Sequence, residues 1–266
     1  MENIVIVIQA RMSSTRLPGK VLLPIIGKPL LTRMAERVLR AKNISQVVVA
    51  TTTEPEDDTI EKLCMENNWN VYRGDKEDLL DRHYQAAKEY KADIVLKIPS
   101  DCPLIDPAII DRTIEYFLTN RAKYDYVSNL HPATYPDGND VEIMTTKALE
   151  KAWANAKRKI EREHTTPYFW ENPNKFRIGN VLWEKGLDYS MSHRWTIDYR
   201  EDYIFIKQVF EALYPLNPYF GLNDILNLLQ EKPELTKINN ELAGVNWYRN
   251  YLGELKTIDK SQTKVF

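Results

Sequence analysis

The chain of 266 residues is long enough to bury a sizeable core, and its 43% apolar and 28% charged residues are ordinary for a globular protein. The formal net charge of -2 gives no overall attraction to nucleic acid or to an anionic membrane, so phosphate binding would need a local basic patch. The two cysteines, Cys64 and Cys102, argue against a disulfide framework or a zinc site and predict a cytoplasmic protein. No segment has the apolar length of a signal peptide or of a membrane span.

Apolar runs and amphipathic stretches alternate through the first half of the chain. Continuous apolar runs predict strands at residues 4–8, 47–50 and 92–98. Apolar residues at helical spacing predict helices at residues 31–39, 56–67 and 78–90, and a further helix after Asp106-Pro107. The alternation predicts right-handed βαβ units, and therefore an α/β fold with a doubly wound, mostly parallel sheet.

The pattern changes near residue 130. The turn-rich string HPATYPDGND predicts a long loop, and a long loop in a compact domain is often functional. Beyond it the sequence predicts a helix at 145–159, strands at 176–183 and 194–197, mostly helices from 200 to 252, and a polar tail that frays. The second half is thus expected to form a lid and an appendage on the same sheet.

A basic loop, QARMSSTRLPGK at residues 9–20, directly follows the first predicted strand. Ligands of open α/β sheets bind beyond the carboxyl ends of strands, and Arg, Lys and hydroxyl side chains suit a polyphosphate. The loop is neither a Walker motif nor a GxGxxG turn. By composition alone, a solvated loop with scattered charge explains these residues equally well.

Two aspartates follow predicted strands in a similar way. Asp101 comes just after the strand at 92–98, and Asp198 directly follows the one at 194–197. A carboxylate beside a triphosphate needs a cation between them, and Mg²⁺ accepts one or two carboxylates with phosphate oxygens and water. Each aspartate could instead cap a turn or a helix. Asp202 fits a favourable charge at a helix N-terminus.

The string QARMSSTRLPGKVLLPIIGKPLL resembles the N-terminal signature of the SpsF-like cytidylyltransferases, within the family of CMP-Kdo and CMP-sialic acid synthetases. SDCPLIDP, HRWTIDYREDY, YPDGNDVE and EHTTPY resemble further segments of that family. The resemblance implies a Rossmann-like, GT-A-like nucleotidyltransferase fold with a mixed-strand lid region and C-terminal helices. It also implies Mg²⁺ as cofactor, with Asp101 and Asp198 as its ligands.

The resemblance further implies roles for individual residues. The implied catalytic residues are Arg11, Lys20, Asp101 and Asp198. The implied nucleotide-binding residues are Gln9, Ala10, Arg11, Ser13, Ser14, Arg16, Lys20, Gly74, Asp78, Arg82 and Lys97. The implied acceptor-binding residues are Asp137, Gly138, Asp140, Glu142, His164 and Arg194.

Some of these roles have open alternatives. Residues 78–82 could be a capped, salt-bridged helix start, and their Leu79-Leu80-Asp81 departs from the Val-Leu common in the family. His164 could be a buried structural residue. His83, His131 and His193 lack metal-ligand spacing and are expected to be structural or exposed. The aromatic residues expected in the core are Trp153, Tyr168, Phe169, Trp170 and Trp183.

The implied function is Mg²⁺-dependent transfer of CMP from CTP to a sugar, with release of pyrophosphate, for surface polysaccharide or glycan biosynthesis. The implied acceptor is a 2-keto sugar acid of the nonulosonic or Kdo type, whose carboxylate would pair with Lys97, Arg177 or Arg194. The expected partners are CTP and the sugar, with no nucleic acid and no membrane. A homodimer is expected by analogy.

The same resemblance divides the chain. We expect one domain over residues 1–256, with a nucleotide-binding half at 1–130, an acceptor-binding half at 131–256 and a polar tail at 257–266. Two other functions compete with this one. A GT-A-type glycosyltransferase would share the sheet, but it normally has a DxD pair where this chain has Ser100-Asp101-Cys102. The other alternative is a non-catalytic nucleotide-binding regulator.

Overall fold

The structure, a computed structural model, describes residues 2–265. Residues 1 and 266, which belong to the predicted domain and the predicted tail, lie outside the described part. The strands are β1 (Ile4–Gln9), β2 (Pro24–Ile25), β3 (Lys28–Pro29), β4 (Gln46–Thr52), β5 (Asn70–Gly74), β6 (Ile94–Pro99), β7 (Tyr126–Ser128), β8 (Glu142–Thr145) and β9 (Ile178–Asn180). The helices are α1 (Leu30–Val38), α2 (Asp58–Glu66), α3 (Leu79–Glu89), α4 (Pro107–Thr119), α5 (Thr146–Asn155), α6 (Lys159–His164), α7 (Pro167–Trp170), α8 (Arg200–Leu213) and α9 (Leu222–Glu231).

Seven strands form one sheet in the order β5-β4-β1-β6-β8-β7-β9, and β2 and β3 form a separate hairpin. β1 pairs in parallel with β4 and β6, and β4 pairs in parallel with β5. β8 runs antiparallel to both β6 and β7, while β9 is parallel to β7. The predicted α/β fold with a mostly parallel sheet is confirmed, and its mixed part comes from the second half of the chain.

Both faces of the central strands are covered by helices. Ile4, Ile6 and Ile8 pack on one face with residues of α1 and α4, whereas Val5 and Val7 pack on the other with residues of α3 and α5. Alternate residues of a strand point to opposite faces, so a strand buried on both faces needs an unbroken apolar run. Each such side chain contributes about 1.5–3 kcal/mol when it is fully buried.

The structure departs from the predicted elements in the second half. The helix predicted at 145–159 ends at Asn155, and a new helix, α6, begins at Lys159. Glu161 caps this new helix by accepting hydrogen bonds from the backbone N–H groups of Lys157 (3.0 Å) and Arg158 (2.9 Å). The strand predicted at 176–183 shrinks to β9. The strand predicted at 194–197 is wrong, since this segment forms a single bridge between Arg194 and Asp137.

The C-terminal part is less helical and more firmly packed than its composition predicts. Beyond α9 the chain forms short 3₁₀ turns rather than further α-helices. The tail does not fray within the described residues. Ile258 is 6% exposed and Thr263 is 2% exposed, and the N–H of Lys264 donates to the carbonyl of Gly244 at 2.7 Å.

Among residues 2–265, every helix falls short of the length and hydropathy that a membrane crossing requires.

Candidate active site

A cavity of about 650 Å³ opens at the carboxyl ends of β1 and β6. Its walls come from the basic loop, from the loop between β7 and β8, and from residues of the C-terminal segment. Ligands of open α/β sheets bind at this edge, and a volume of about 300–1,000 Å³ is usual for a small-molecule site. The position and size therefore mark it as the candidate active site.

The basic loop has a defined conformation. Gly19 has φ 68°, which favours glycine, and its N–H donates to the carbonyl of Met12 at 2.9 Å. The N–H of Met12 donates to the Oδ1 atom of Asp57 at 2.7 Å, and the buried Asp57 carboxylate also accepts a hydrogen bond from the Thr52 hydroxyl. Asp57 was missed by the sequence reasoning, because it lies 45 residues away from the loop that it holds.

Lys20 joins the basic loop to both predicted metal ligands. Its Nζ atom lies 2.9 Å from Asp198 Oδ1, 3.5 Å from Asp101 Oδ2 and 2.7 Å from the carbonyl oxygen of Ile197. Arg16 Nη2 lies 2.7 Å from the other oxygen of Asp198. Burial opposes the charge of Lys20 and of Asp198, yet the carboxylates raise the pKa of Lys20, and Lys20 with Arg16 lowers the pKa of Asp198. The cationic loop and the two carboxylates therefore meet at one mouth of the sheet.

Backbone contacts bring the two aspartates together. The N–H of Ile197 (2.9 Å) and the hydroxyl of Thr196 (3.0 Å) both donate to the carbonyl oxygen of Asp101. Asp202 accepts from the N–H groups of Asp198 and Tyr199 at 2.9 and 3.0 Å, at the start of α8. The predicted position of Asp202 at a helix N-terminus is thereby confirmed.

The two carboxylates fit a divalent cation that arrives with a nucleotide. Asp101 and Asp198 share one ammonium group, which shows that a single cation can contact both. Within residues 2–265, no group of three or more His, Cys, Asp or Glu side chains could hold a metal by itself. Mg²⁺ is usually bound in this way, through one or two carboxylates together with phosphate oxygens and water.

A second cluster of acids lies close to this pair, and Arg194 connects the two, with Nη1 3.4 Å from Asp137 Oδ2 and Nη2 3.6 Å from Asp198 Oδ2. Glu142 forms a buried ion pair with Lys97 and accepts a hydrogen bond from the hydroxyl of Tyr126. Burial and then the charge of Asp101 raise the pKa of Asp140 to about 7. Burial and Asp140 likewise raise the pKa of Asp137 well above its ordinary value. These oxygens are suited to accept hydrogen bonds from hydroxyl groups.

Most of the sequence-predicted site residues line this one cavity. They are Gln9, Ala10, Arg11, Ser14, Arg16, Lys20, Arg82, Lys97, Asp101, Asp137, Asp140, Glu142, His164, Arg194 and Asp198.

Four predicted residues stand behind the lining instead. Asp78 caps α3 and pairs with Arg162. Gly138 has φ 105°, and a Cβ atom there would lie 2.6 Å from the carbonyl carbon of Trp195. Ser13 and Gly74 also lie outside the lining. Asp78 and Gly138 thus hold the walls of the cavity in place.

The structure distinguishes among the three basic residues that were predicted to pair with the acceptor carboxylate. Arg177 lies outside the lining and forms an ion pair with Asp125 at 2.6 Å. Lys97 and Arg194 line the cavity. Arg194 is held by Asp202, with Nε to Oδ1 at 2.8 Å and Nη2 to Oδ2 at 3.0 Å.

Several aromatic residues of the cavity were not predicted as site residues. His131 and Trp170, expected to be structural or core residues, line it, as do Trp247, Tyr248 and Tyr251. Burial lowers the pKa of His131 to about 4. The three C-terminal residues match none of the family segments recognised in the sequence, so no sequence signal pointed to them.

A family model described as cytidylyltransferase matches residues 5–232. The chain therefore belongs to the cytidylyltransferase family and is a nucleotidyltransferase enzyme. The motif-based resemblance is thereby confirmed.

Individual relatives agree with this assignment. The spore coat polysaccharide biosynthesis protein SpsF of Bacillus subtilis is 30% identical over 239 residues, which are 88% of this chain and 97% of that protein. A solved cytidylyltransferase from Leptospira borgpetersenii has a TM-score of 0.84 and 37% identity, covering 89% of this chain and 97% of that one. The 3-deoxy-manno-octulosonate cytidylyltransferase of Trichlorobacter lovleyi is 39% identical over 118 residues, 44% of this chain and 46% of that protein.

Proposed function

We propose that this enzyme transfers CMP from CTP to a hydroxyl group of a sugar acid, in a Mg²⁺-dependent reaction that releases pyrophosphate. The observation that carries this proposal is the meeting of Lys20 and Arg16 with Asp101 and Asp198 at the mouth of the cavity. The names of the relatives support CTP as the nucleotide and a 2-keto sugar acid of the Kdo or nonulosonic type as the acceptor. SpsF supports a place in surface polysaccharide biosynthesis.

Among the described residues 2–265, no carboxylate lies within ion-pair distance of two arginines that line the cavity, Arg11 and Arg82. Arg11 donates to the carbonyl oxygen of Lys76 at 3.3 Å, and Arg82 donates to that of Asp75 at 3.2 Å. Within residues 2–265 neither guanidinium forms an ion pair with a carboxylate, and burial together with the charge of Arg11 lowers the pKa of Arg82 to about 10. A triphosphate would supply the missing negative charge, and arginine binds phosphate through paired donors.

The transfer itself needs positioning and charge rather than covalent chemistry by the protein. Asp101 and Asp198 would hold the metal ion, which when bound neutralises charge on the phosphates. Lys20 and Arg16 would then exchange their carboxylate contacts for oxygens of the departing pyrophosphate. The acids Asp137, Asp140 and Glu142 would receive the sugar hydroxyls, so that the attacking oxygen faces the α-phosphorus in line.

This proposal keeps the division into a nucleotide-binding half at 1–130 and an acceptor-binding half at 131–256. A cytoplasmic location is supported by Cys64 and Cys102, which are both buried free thiols. The homodimer stays a prediction.

The test is pyrophosphate release from each of four nucleoside triphosphates, with Mg²⁺ and a panel of sugar acids and sugar phosphates. We expect release with CTP and a sugar acid, and we expect Asp101→Ala to abolish it with the circular dichroism spectrum unchanged. Asp125→Ala, which removes a surface ion pair outside the cavity, serves as the matched control. Normal turnover by Asp101→Ala would refute the metal assignment.

The same screen tests the alternatives. Sugar transfer from a nucleotide sugar without pyrophosphate release would favour a glycosyltransferase. Tight CTP binding with no turnover on any acceptor would favour a regulator.

A further inference from the structure

The part of the chain beyond the family match forms one wall of the cavity. The match ends at residue 232, and residues between 244 and 262 line the cavity opposite the sheet. We call residues 244–262 the C-terminal wall. This wall lies outside the region that the family model matches.

The C-terminal wall is anchored at both of its ends. Arg194, which the Asp202 carboxylate holds, donates to the carbonyl oxygen of Val245. The carboxylate of Glu171 accepts from the N–H groups of Lys256 and Thr257, each at 2.9 Å. A wall tied in this way presents its side chains to the cavity in fixed positions.

The surface that this wall presents is aromatic. Trp247 stacks on His164 with ring centroids 3.9 Å apart and an interplanar angle of 9°. Tyr251 meets the same histidine edge-on at 5.5 Å, and Tyr248 lies 6.2 Å from Trp170. Burial first, and then the positive charge of Lys97, lowers the pKa of His164 to about 3, so this ring is neutral and its stack is apolar. These rings make a continuous apolar face on one side of the cavity.

A polar group within this face has no partner. Trp170 is 4% exposed, and within residues 2–265 its indole N–H donates to nothing, although the residue lines the cavity. The Nε2 atom of His164 is likewise buried without a partner. A buried donor left unsatisfied costs about 1–3 kcal/mol, so these atoms point to a ligand that brings oxygen or hydroxyl groups.

Ring contacts place part of this face beside the loop that carries Asp137 and Asp140, because the ring centroid of His131 in that loop lies 4.5 Å from that of Trp170 and 6.0 Å from that of Tyr248. Burial, and then the charges of Glu142, Asp140 and Asp137, raise the pKa of Tyr248 well above its ordinary value. These are the acids that would receive sugar hydroxyls. The His164 end of the face borders the basic loop, since burial and then the charges of Lys97, Arg11 and Arg16 lower the pKa of His164.

We propose that the C-terminal wall is the subsite that recognises the acceptor: Trp247 and Tyr251 contact the apolar C–H face or an acyl substituent of a sugar acid, and the Trp170 indole donates to one of its oxygens. This inference rests on the proposed cytidylyl transfer. It adds that Trp247 and Tyr251, which lie beyond the family match, recognise the acceptor together with Trp170, which lies within it.

The test uses Trp247→Leu, which removes the ring, and Trp247→Phe, which keeps an aromatic face. The full-length enzyme is assayed with CTP, Mg²⁺ and two probes, 3-deoxy-manno-octulosonate and N-acetylneuraminate. We expect Trp247→Leu to raise the KM for the better probe about tenfold, which corresponds to about 1.4 kcal/mol, with the Kd for CTP changed less than about twofold. We expect the acceptor KM of Trp247→Phe to stay close to the wild-type value, because phenylalanine keeps an aromatic ring at this position. Trp170→Phe, which removes only the N–H, raises the same KM by about threefold to tenfold.

Trp153→Leu is the matched control, because Trp153 stacks on Tyr84 outside the cavity. An unchanged acceptor KM in Trp247→Leu overturns the proposal. A rise in the Kd for CTP as large as the rise in acceptor KM also overturns it, because the ring would then contact the nucleobase. Thermal melting of each variant identifies a folding defect. If Trp247→Leu is unstable, the acceptor KM of Trp247→Phe is compared with that of the wild type instead.

Failure of the proposed function gives a different result. If neither probe releases pyrophosphate, binding of each probe is measured directly by saturation-transfer NMR. Binding that Trp247→Leu abolishes and Trp153→Leu preserves supports the subsite and refutes the proposed transfer of CMP to these two sugar acids. Absence of binding by both probes overturns the inference, since the subsite is defined by its sugar-acid ligand.

Discussion

Lys20 occupies the position between the two carboxylates that the metal would need. Its ammonium group lies 2.9 Å from Asp198 and 3.5 Å from Asp101, and the residue is 8% exposed. A divalent cation that binds without nucleotide must therefore displace an ion that is already paired. We predict that Lys20→Met, which keeps the length of the side chain but not its charge, strengthens the binding of free Mg²⁺ while it weakens the use of CTP.

The magnitude follows from these contacts. A hydrogen bond to a charged group is worth about 1.5–3 kcal/mol, and Lys20 makes one close and one longer contact of this kind. Removing a competitor worth about 2 kcal/mol strengthens metal binding by about 30-fold. Loss of a cation on the phosphates slows pyrophosphate release by about 100-fold, as for other groups that stabilise transition-state charge.

The assay is isothermal titration of Mg²⁺ into the nucleotide-free enzyme, followed by steady-state kinetics with CTP. Lys28→Met is the matched control, because Lys28 pairs with Glu36 at the surface with 51% of its side chain exposed. Unchanged or weaker binding of free Mg²⁺ by Lys20→Met would show that Lys20 does not compete with the cation, and the reasoning would be wrong.

Lys20→Met should also change how the free energy of unfolding depends on pH. Although burial opposes it, the charges of Lys20 and Arg16 lower the pKa of Asp198 in the folded state. A lowered carboxyl pKa stabilises the fold above the unfolded-state pKa, and this contribution disappears as the pH falls through the folded-state pKa. The free energy of unfolding of Lys20→Met should therefore lie below that of the wild type at pH 7. The gap should narrow in acid, and a gap that widens there would contradict the assignment.

Three further predictions concern other parts of the molecule. Burial lowers the pKa of His83 in the folded state to about 3, whereas the unfolded-state pKa is about 6.5. The neutral histidine therefore contributes its full stability above pH 6.5, and this contribution is lost as the pH falls. Between pH 7 and pH 5 the free energy of unfolding, measured in urea, should fall by about 2 kcal/mol more in the wild type than in His83→Gln. Glu171→Gln weakens the charged anchor of residues 256–257, so limited proteolysis should cut near residue 256 faster than in the wild type, and equal rates would contradict that role. Arg11→Ala should raise the KM for CTP about tenfold or more without changing the acceptor KM, as measured by pyrophosphate release, because within residues 2–265 its guanidinium pairs with a carbonyl oxygen and not with a carboxylate.

Local chemistry made much of this fold and site readable from the sequence. An unbroken apolar run such as residues 4–8 must be covered on both faces, and this requirement predicts a parallel sheet with helices on either side. Residues that directly follow such strands must lie at one edge, so Arg11 and Asp101 could be placed at a common mouth before any contact was known. Those inferences depend only on neighbours in the chain and on the geometry of parallel strands.

The tertiary structure decided how distant segments meet. Lys20 and Asp198 are 178 residues apart, and the backbone hydrogen bond from Ile197 to Asp101 replaces the strand that was predicted there. The aromatic wall around Trp247 and the packed tail arise in the same way, because their partners Trp170, His164 and Glu171 belong to other elements. Ion pairs and ring contacts depend on positions in space, and no periodicity along the chain encodes which distant side chain will fill a given position.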